Sequence, residues 1–196
     1  MQKDEVLADW ASIKERIGEL FDDAISGKWK GKPVSVGSIT SEGKAFLESL
    51  SGSKMKDSVD FVLNPSDLIH IFKEHWGDNE KNKDANSPLG REDILNIIDV
   101  IKQPESIIYL GNDGNSGAKY AFLKQSDEGS YNLIEVYGDR KGNLTAKTYY
   151  KTKRGVSQRA IVLEKESLHS TSETTGATSS CAKIPILIDS PKNQKE

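Results

Sequence analysis

Residues 4–27 set Val6, Leu7, Trp10, Ile13, Ile17, Leu20, Phe21 and Ala24 at three- and four-residue intervals, which gathers apolar side chains on one face of a helix. Gly27, a cluster of lysines and Pro33 end that pattern. A short strand is predicted at Val34–Val36, a helix from about Ser41 to Leu50 with Ser41 and Lys44 as an imperfect capping box, and a second strand at Asp60–Leu63. Asn64-Pro65 then opens another helix, with proline at its first position and Asp67 in its first turn. That helix reaches about Trp76 and carries Leu68, Ile69, Phe72 and Trp76 as its apolar stripe. Residues 77–90 read as a polar loop, and 91–104 as one helix with Ile94, Ile97, Ile98 and Ile101 in register, stopped before Pro104.

From residue 106 the period changes to two. Four strands, at 106–111, 118–125, 131–138 and 144–151, are separated by glycine-bearing turns, and 159–165 offers a fifth. Consecutive strands with tight connections make an antiparallel meander. The predicted fold is therefore α+β, with two or three helices packed on one face of a curved antiparallel sheet of four to five strands. The expected organisation is an N-terminal helix and linker over 1–32, serving attachment or partner docking, a folded domain over 33–165, and a tail over 166–196. Nine of the fourteen residues 167–180 are Ser or Thr, which argues for a flexible tail, and 184–188 offers a last edge strand.

Composition adds constraints. The length suits one domain with a real core, and the net charge of −3 argues, taken alone, against a nucleic-acid binder. The charge is unevenly spread, however. Between Tyr137 and Arg159 stand Arg140, Lys141, Lys147, Lys151, Lys153, Arg154 and Arg159 against Asp139, seven cations less one anion, an excess of six. Such a run can face phosphate, or can be a solvated strand edge. The single Cys181 excludes a disulfide framework and a cysteine-rich metal site. No apolar signal segment or membrane-spanning window is present, so the chain reads as soluble, and export would need a route without a classical signal.

His70 and His75 are five apart, so they diverge by about 140° around the helix. That spacing excludes a two-histidine zinc clip. Strict alternation over 144–150 sends Leu144, Ala146, Thr148 and Tyr150 to one face of the strand and Thr145, Lys147 and Tyr149 to the other. A common pocket for Lys147, Thr148 and Tyr150 then requires a bulge or twist. RNA cleavage by its own 2′-hydroxyl needs a proton acceptor, a proton donor and groups that hold the phosphate, with no metal or cofactor. Imidazole suits the proton steps, while an ammonium and hydroxyls suit the phosphate.

The segments "HIFKEH", "PLGREDILNIIDVIKQPESI", "KYAFLK" and "YNLIEVYGDRKGNLTAKTYYK" resemble, over about residues 33–155, the phage-type barnase–EndoU–colicin–RelE-like (BECR-like) nuclease domains. Such domains occur at the C-termini of Mu F-like phage head proteins and polymorphic toxins. The resemblance implies helices on an antiparallel sheet and a metal-independent ribonuclease. By match it implies His70 as the favoured general base or acid and His75 as a second histidine. Lys147, Thr148 and Tyr150 become a phosphate clamp and proton or hydrogen-bond partners. Lys151, Lys153, Arg154, Arg140 and Lys141 would attract RNA, with tRNA and RNA presented by the ribosome as the candidate substrates. An immunity or antitoxin protein is a further implied partner, a membrane is not, and the expected setting is a bacterial cytoplasm reached from a virion or secretion system. The rival reading is a non-catalytic phage accessory or inhibitor module that captures a host protein. ADP-ribosyl transfer is a third, disfavoured because "STSE" (170–173) falls in the tail.

Overall fold

A computed structural model describes residues 2–27, 31–75, 86–112, 117–127, 129–138, 141–153, 184, 187 and 188. In order these form α1 (Gln2–Ile25), β1 (Val34–Ser38), α2 (Ser41–Ser51), β2 (Asp60–Leu63), α3 (Pro65–His75), β3 (Asn86–Ser87), α4 (Arg91–Leu95), α5 (Ile97–Lys102), β4 (Ser106–Asn112), β5 (Ala118–Ser126), β6 (Gly129–Gly138) and β7 (Asn143–Lys153). The fold is α+β, as the periodicities imply. The sheet is larger than the expected four to five strands: among the described residues it has seven, in the order β1-β2-β7-β6-β5-β4, with β3 added beside β7. The meander β4–β7 is antiparallel throughout. β2 joins β7 in parallel, Phe61 opposite Leu144, and this long-range pairing brings β1 and β2 into the same sheet.

Local chemistry sets the helix ends. Thr40, rather than Ser41, caps α2, its Oγ1 accepting from Gly43 N at 2.9 Å, and Gly52 closes the helix in the left-handed conformation with φ 69°. The single helix expected over 91–104 is two, interrupted at Asn96. Lys124 on β5 donates to Asp99 O at 3.1 Å and Gln103 O at 3.2 Å, supplying partners to the carbonyls at the end of α5.

One hydrophobic core lies between the helices and one sheet face, joining Leu47, Leu68, Ile97 and Ile101 to Ile107, Tyr120, Phe122, Leu133, Leu144 and Tyr149. A second, small cluster of Ile108, Ala121, Leu123 and Tyr150 occupies the other face. α1 belongs to the common core, which corrects the expectation of a separate docking element. Trp10, Ile13, Ile17, Leu20, Phe21 and Ala24 are all buried, and Phe21 meets Phe72 edge-on at 6.2 Å. The stripe is too wide and too apolar to be left in water. At roughly 1.5–3 kcal/mol per large buried side chain, removing it takes away as much as a whole domain's margin of about 5–15 kcal/mol. Deletion of residues 1–27 is therefore expected to yield a chain without a cooperative unfolding transition; a sharp transition in circular dichroism would contradict this.

The expected edge strand at the C-terminus docks where its described residues allow it to be followed. Thr40 N donates to Leu187 O at 2.8 Å, and Ile188 bridges Ile39 antiparallel. The candidate strand 159–165, the Ser/Thr-rich segment with "STSE", Cys181 and Trp76 lie outside the described residues. No helix of the structure is long and apolar enough to cross a membrane among the described residues.

Candidate active site

Two stretches of β7 pair with neighbouring strands on the edge away from β6. Residues 143–145 pair with β2, and residues 151–152 with β3. α3 packs against β7 between them. The geometry follows from the connection: β2 runs parallel to β7, and Asn64-Pro65 turns the chain directly into α3, so the helix continues alongside the strand. Its first turn holds Asp67, whose Oδ2 accepts from Asn64 Nδ2 at 2.6 Å and Asn64 N at 3.2 Å. Its last turn holds His75, and Leu89 N donates to His75 O at 3.0 Å, fastening that end to the chain that enters α4.

β7 does not alternate strictly. Its register with β6 shifts so that Ala146 faces Glu135 and Thr148 faces Ile134, leaving Lys147 as an extra residue. The phase of the strand changes at that point. Leu144 and Ala146, then Tyr149 and Lys151, face the helices and the main core, whereas Thr148, Tyr150 and Thr152 share the opposite face. The expected grouping of Leu144 and Ala146 with Thr148 and Tyr150 is thereby corrected. Lys147 stands exposed at the bulge itself.

The helix and strand meet through one imidazole. His75 Nε2 lies 3.0 Å from Thr148 Oγ1, a hydrogen bond whose donor is set by the tautomer. The His75 ring is 5.5 Å from the Tyr150 ring at 35°. His70, the favoured candidate from sequence, is exposed on α3; the histidine that reaches Thr148 and Tyr150 is His75. Asp67, Ile71 and His75 recur at four-residue intervals, which puts them along one side of α3 and His70 off it.

Asp67 brings a second charge to this edge. Burial pushes its carboxyl above the ordinary range, and hydrogen bonds from Asn64 and the nearby Lys147 ammonium only partly offset that. A raised carboxyl holds its proton more tightly in the folded chain than in the unfolded one. Ionised Asp67 thus subtracts stability above its folded pKa, and the deficit disappears as pH falls below its unfolded value. Asp67→Asn is expected to be more stable than the parent at neutral pH, with the gap closing on acidification. Urea unfolding across the acid range measures this; a gap that widens toward low pH would be the wrong sign.

The basic run divides. Lys141 and Lys153 are exposed, and Arg140 and Arg154 lie outside the described residues. Lys151 is 5 % exposed and points inward, which removes it from the surface expected of it. Its Nζ is 3.5 Å from Asp93 Oδ1 and 5.5 Å from the centre of the Tyr131 ring. Asp93 also accepts from Gly90 N at 2.7 Å and Tyr131 Oη at 2.5 Å, while Asp93 O accepts from Tyr149 Oη at 3.1 Å. Burial raises both phenols, Tyr149 the more strongly, which keeps them neutral donors to this aspartate. Nothing in the residue pattern marks Asp93, which looks like an ordinary first-turn acid of a helix.

Among the described residues no group of three or more His, Cys, Asp or Glu side chains is placed to hold a metal ion. The groups that meet are an imidazole, a threonine hydroxyl and a tyrosine ring, and the Lys147 ammonium at the adjacent bulge acts on Asp67 at the other end of α3. This set can move protons and bind an anion. Neither the curated proteins nor the solved structures contain a match to this chain. A family model described as phage-Barnase-EndoU-ColicinE5/D-RelE like nuclease3 matches residues 37–159, which include β2, α3 and the whole of β4–β7. Spanning more than half of the sequence and every residue of the His75–Thr148–Tyr150 grouping, that match makes the chain a member of the phage-Barnase-EndoU-ColicinE5/D-RelE like nuclease3 family.

Proposed function

We propose that this nuclease is a metal-independent endoribonuclease that cleaves RNA through the attack of a 2′-hydroxyl on the neighbouring phosphorus. The observation that carries the reading is the 3.0 Å approach of His75 Nε2 to Thr148 Oγ1 on a strand whose bulge presents Lys147. In the reaction the 2′-oxygen forms a bond to phosphorus as its proton leaves, and the phosphorus–O5′ bond breaks as O5′ gains a proton. The products are a 2′,3′-cyclic phosphate and a 5′-hydroxyl. His75 takes part in the proton transfers, for which imidazole is suited near neutral pH. Lys147 offsets charge on the non-bridging oxygens, and Thr148 holds the imidazole in orientation while offering its hydroxyl to the phosphate. Tyr150 is buried, and it offers its ring to an unstacked base by turning out of its packed position.

The exposed Lys141 and Lys153 add attraction for the RNA backbone. The substrate in this reading is folded or ribosome-presented RNA in a bacterial cytoplasm, and a toxin of this kind calls for a neutralising partner protein. Purified protein incubated with total bacterial RNA in EDTA is expected to give discrete cuts ending in cyclic phosphate. Cleavage that needs added magnesium would reject the mechanism. Intact RNA with a stoichiometric captured protein would favour the binding-module alternative.

A further inference from the structure

Asn132 sits on β6 directly opposite Tyr150 of β7 and, on its other side, opposite Leu123 of β5. It is fully buried. Its Nδ2 donates to Ser130 O at 2.9 Å, which fixes the orientation of the amide, since the flipped form would set oxygen against oxygen. Its Oδ1, although buried, takes no hydrogen bond among the described residues. The polar neighbours are already engaged: Ser130 Oγ donates to Gln125 Oε1 at 2.8 Å, and Thr152 Oγ1 donates to Ser130 O at 3.3 Å. A buried acceptor left without a donor costs about 1–3 kcal/mol, and a leucine would fill the position without that cost.

We propose that Asn132 is a specificity-determining residue whose Oδ1 accepts a hydrogen bond from the N–H edge of a nucleobase next to the scissile phosphate. The inference rests on the ribonuclease reading for the chemistry of its ligand. The surroundings fit a flat, largely apolar group with a polar rim. Ile108, Ala121, Leu123 and Tyr150 form the apolar cluster around Asn132, and Tyr150 in turn touches His75. The amide thus lies one strand inward from the groups assigned to the phosphate, about the offset between a nucleotide's phosphate and its base. Tyr150 is 3 % exposed, so a base reaches Oδ1 by turning that ring out of its rotamer, after which ring and base can stack. A single acceptor held in an apolar wall discriminates strongly, because a ligand without the matching donor leaves it unpaired.

The test compares His75→Ala with His75→Ala/Asn132→Leu, both full length and checked for a cooperative unfolding transition, with Asn132→Ser as the substitute if leucine prevents folding. Each is titrated with the 3′-monophosphates of adenosine, cytidine, guanosine and uridine. At least one is expected to bind roughly tenfold or more tightly when Asn132 is present. In the His75 background, sequencing of cut ends is expected to show Asn132→Leu cutting with a flattened base preference. Identical affinities for all four monophosphates together with unchanged cut sites would overturn the inference and leave Asn132 a structural amide. If the parent protein cuts no RNA yet a monophosphate distinguishes the two proteins, the nuclease mechanism fails while the base site stands. If it cuts RNA and Asn132→Leu is indistinguishable from the parent, the base site alone fails.

Discussion

Replacing His75 by alanine is expected to slow RNA cleavage about 10²–10⁴-fold, the contribution of one positioned proton-transfer group. Under the same conditions His70→Ala is expected to stay within about twofold of the parent, because an exposed side chain off the strand-facing side of α3 touches none of the reacting groups. The contrast between two histidines of one helix is more informative than either alone. Neither histidine belongs to the buried core, and equal urea midpoints for the two variants are the control that separates a rate difference from unfolding. Thr148→Val, which keeps shape but removes the hydroxyl, is expected to fall between them, since the imidazole stays and loses only its orienting bond. Single-turnover cleavage of one defined RNA measures all three. Equal losses for His70→Ala and His75→Ala would place the chemistry elsewhere on the helix.

The second large effect concerns stability. Lys151 and Asp93 form an ion pair whose side chains are 6 % and 16 % exposed, and removing one partner of such a pair costs about 3–5 kcal/mol because the other charge is stranded. Asp93→Ala is expected to be the worse of the two single changes. It removes the carboxylate that Lys151 faces, and it also leaves the Tyr131 hydroxyl and Gly90 N without their acceptor. Lys151→Met leaves an aspartate that keeps those two donors. Asp93→Leu combined with Lys151→Met is expected to recover most of the loss, since no buried charge then remains. Midpoints of urea unfolding give the three values. A double variant as unstable as Asp93→Ala would mean that the phenol bonds, not the ion pair, dominate.

Much of this molecule was legible before any coordinates. Apolar spacing located α1, α2 and α3 and the four meander strands, because each of these elements buries a face against one layer and its period survives in the sequence. What was missed has common physical causes. α3 packs against α1 through Phe72 and against β7 on the side of Ile71 and His75, so its buried arc is broader than one stripe. A wheel centred on Leu68, Ile69, Phe72 and Trp76 therefore could not say which histidine faced the strand. Lys151 looked like one more surface cation, and only the arrival of α4 from sixty residues upstream makes it an interior group. The parallel pairing of β2 with β7 joins segments more than eighty residues apart and leaves no periodic trace in either. The alternation argument failed at one position only, and it named the remedy that the chain uses.

That remedy hangs on a single surplus residue. The faces of β7 are consequently governed by a count of positions: a strand that kept all of its residues but lost the bulge would turn Thr148 and Tyr150 toward the helices and Tyr149 outward, whereas excising Lys147 would leave all three on the faces they now occupy. In relatives that share this frame, a one-residue gap at that point would take away the ammonium and leave the His75–Thr148–Tyr150 grouping in place. Alignments scored by substitution alone would pass over it.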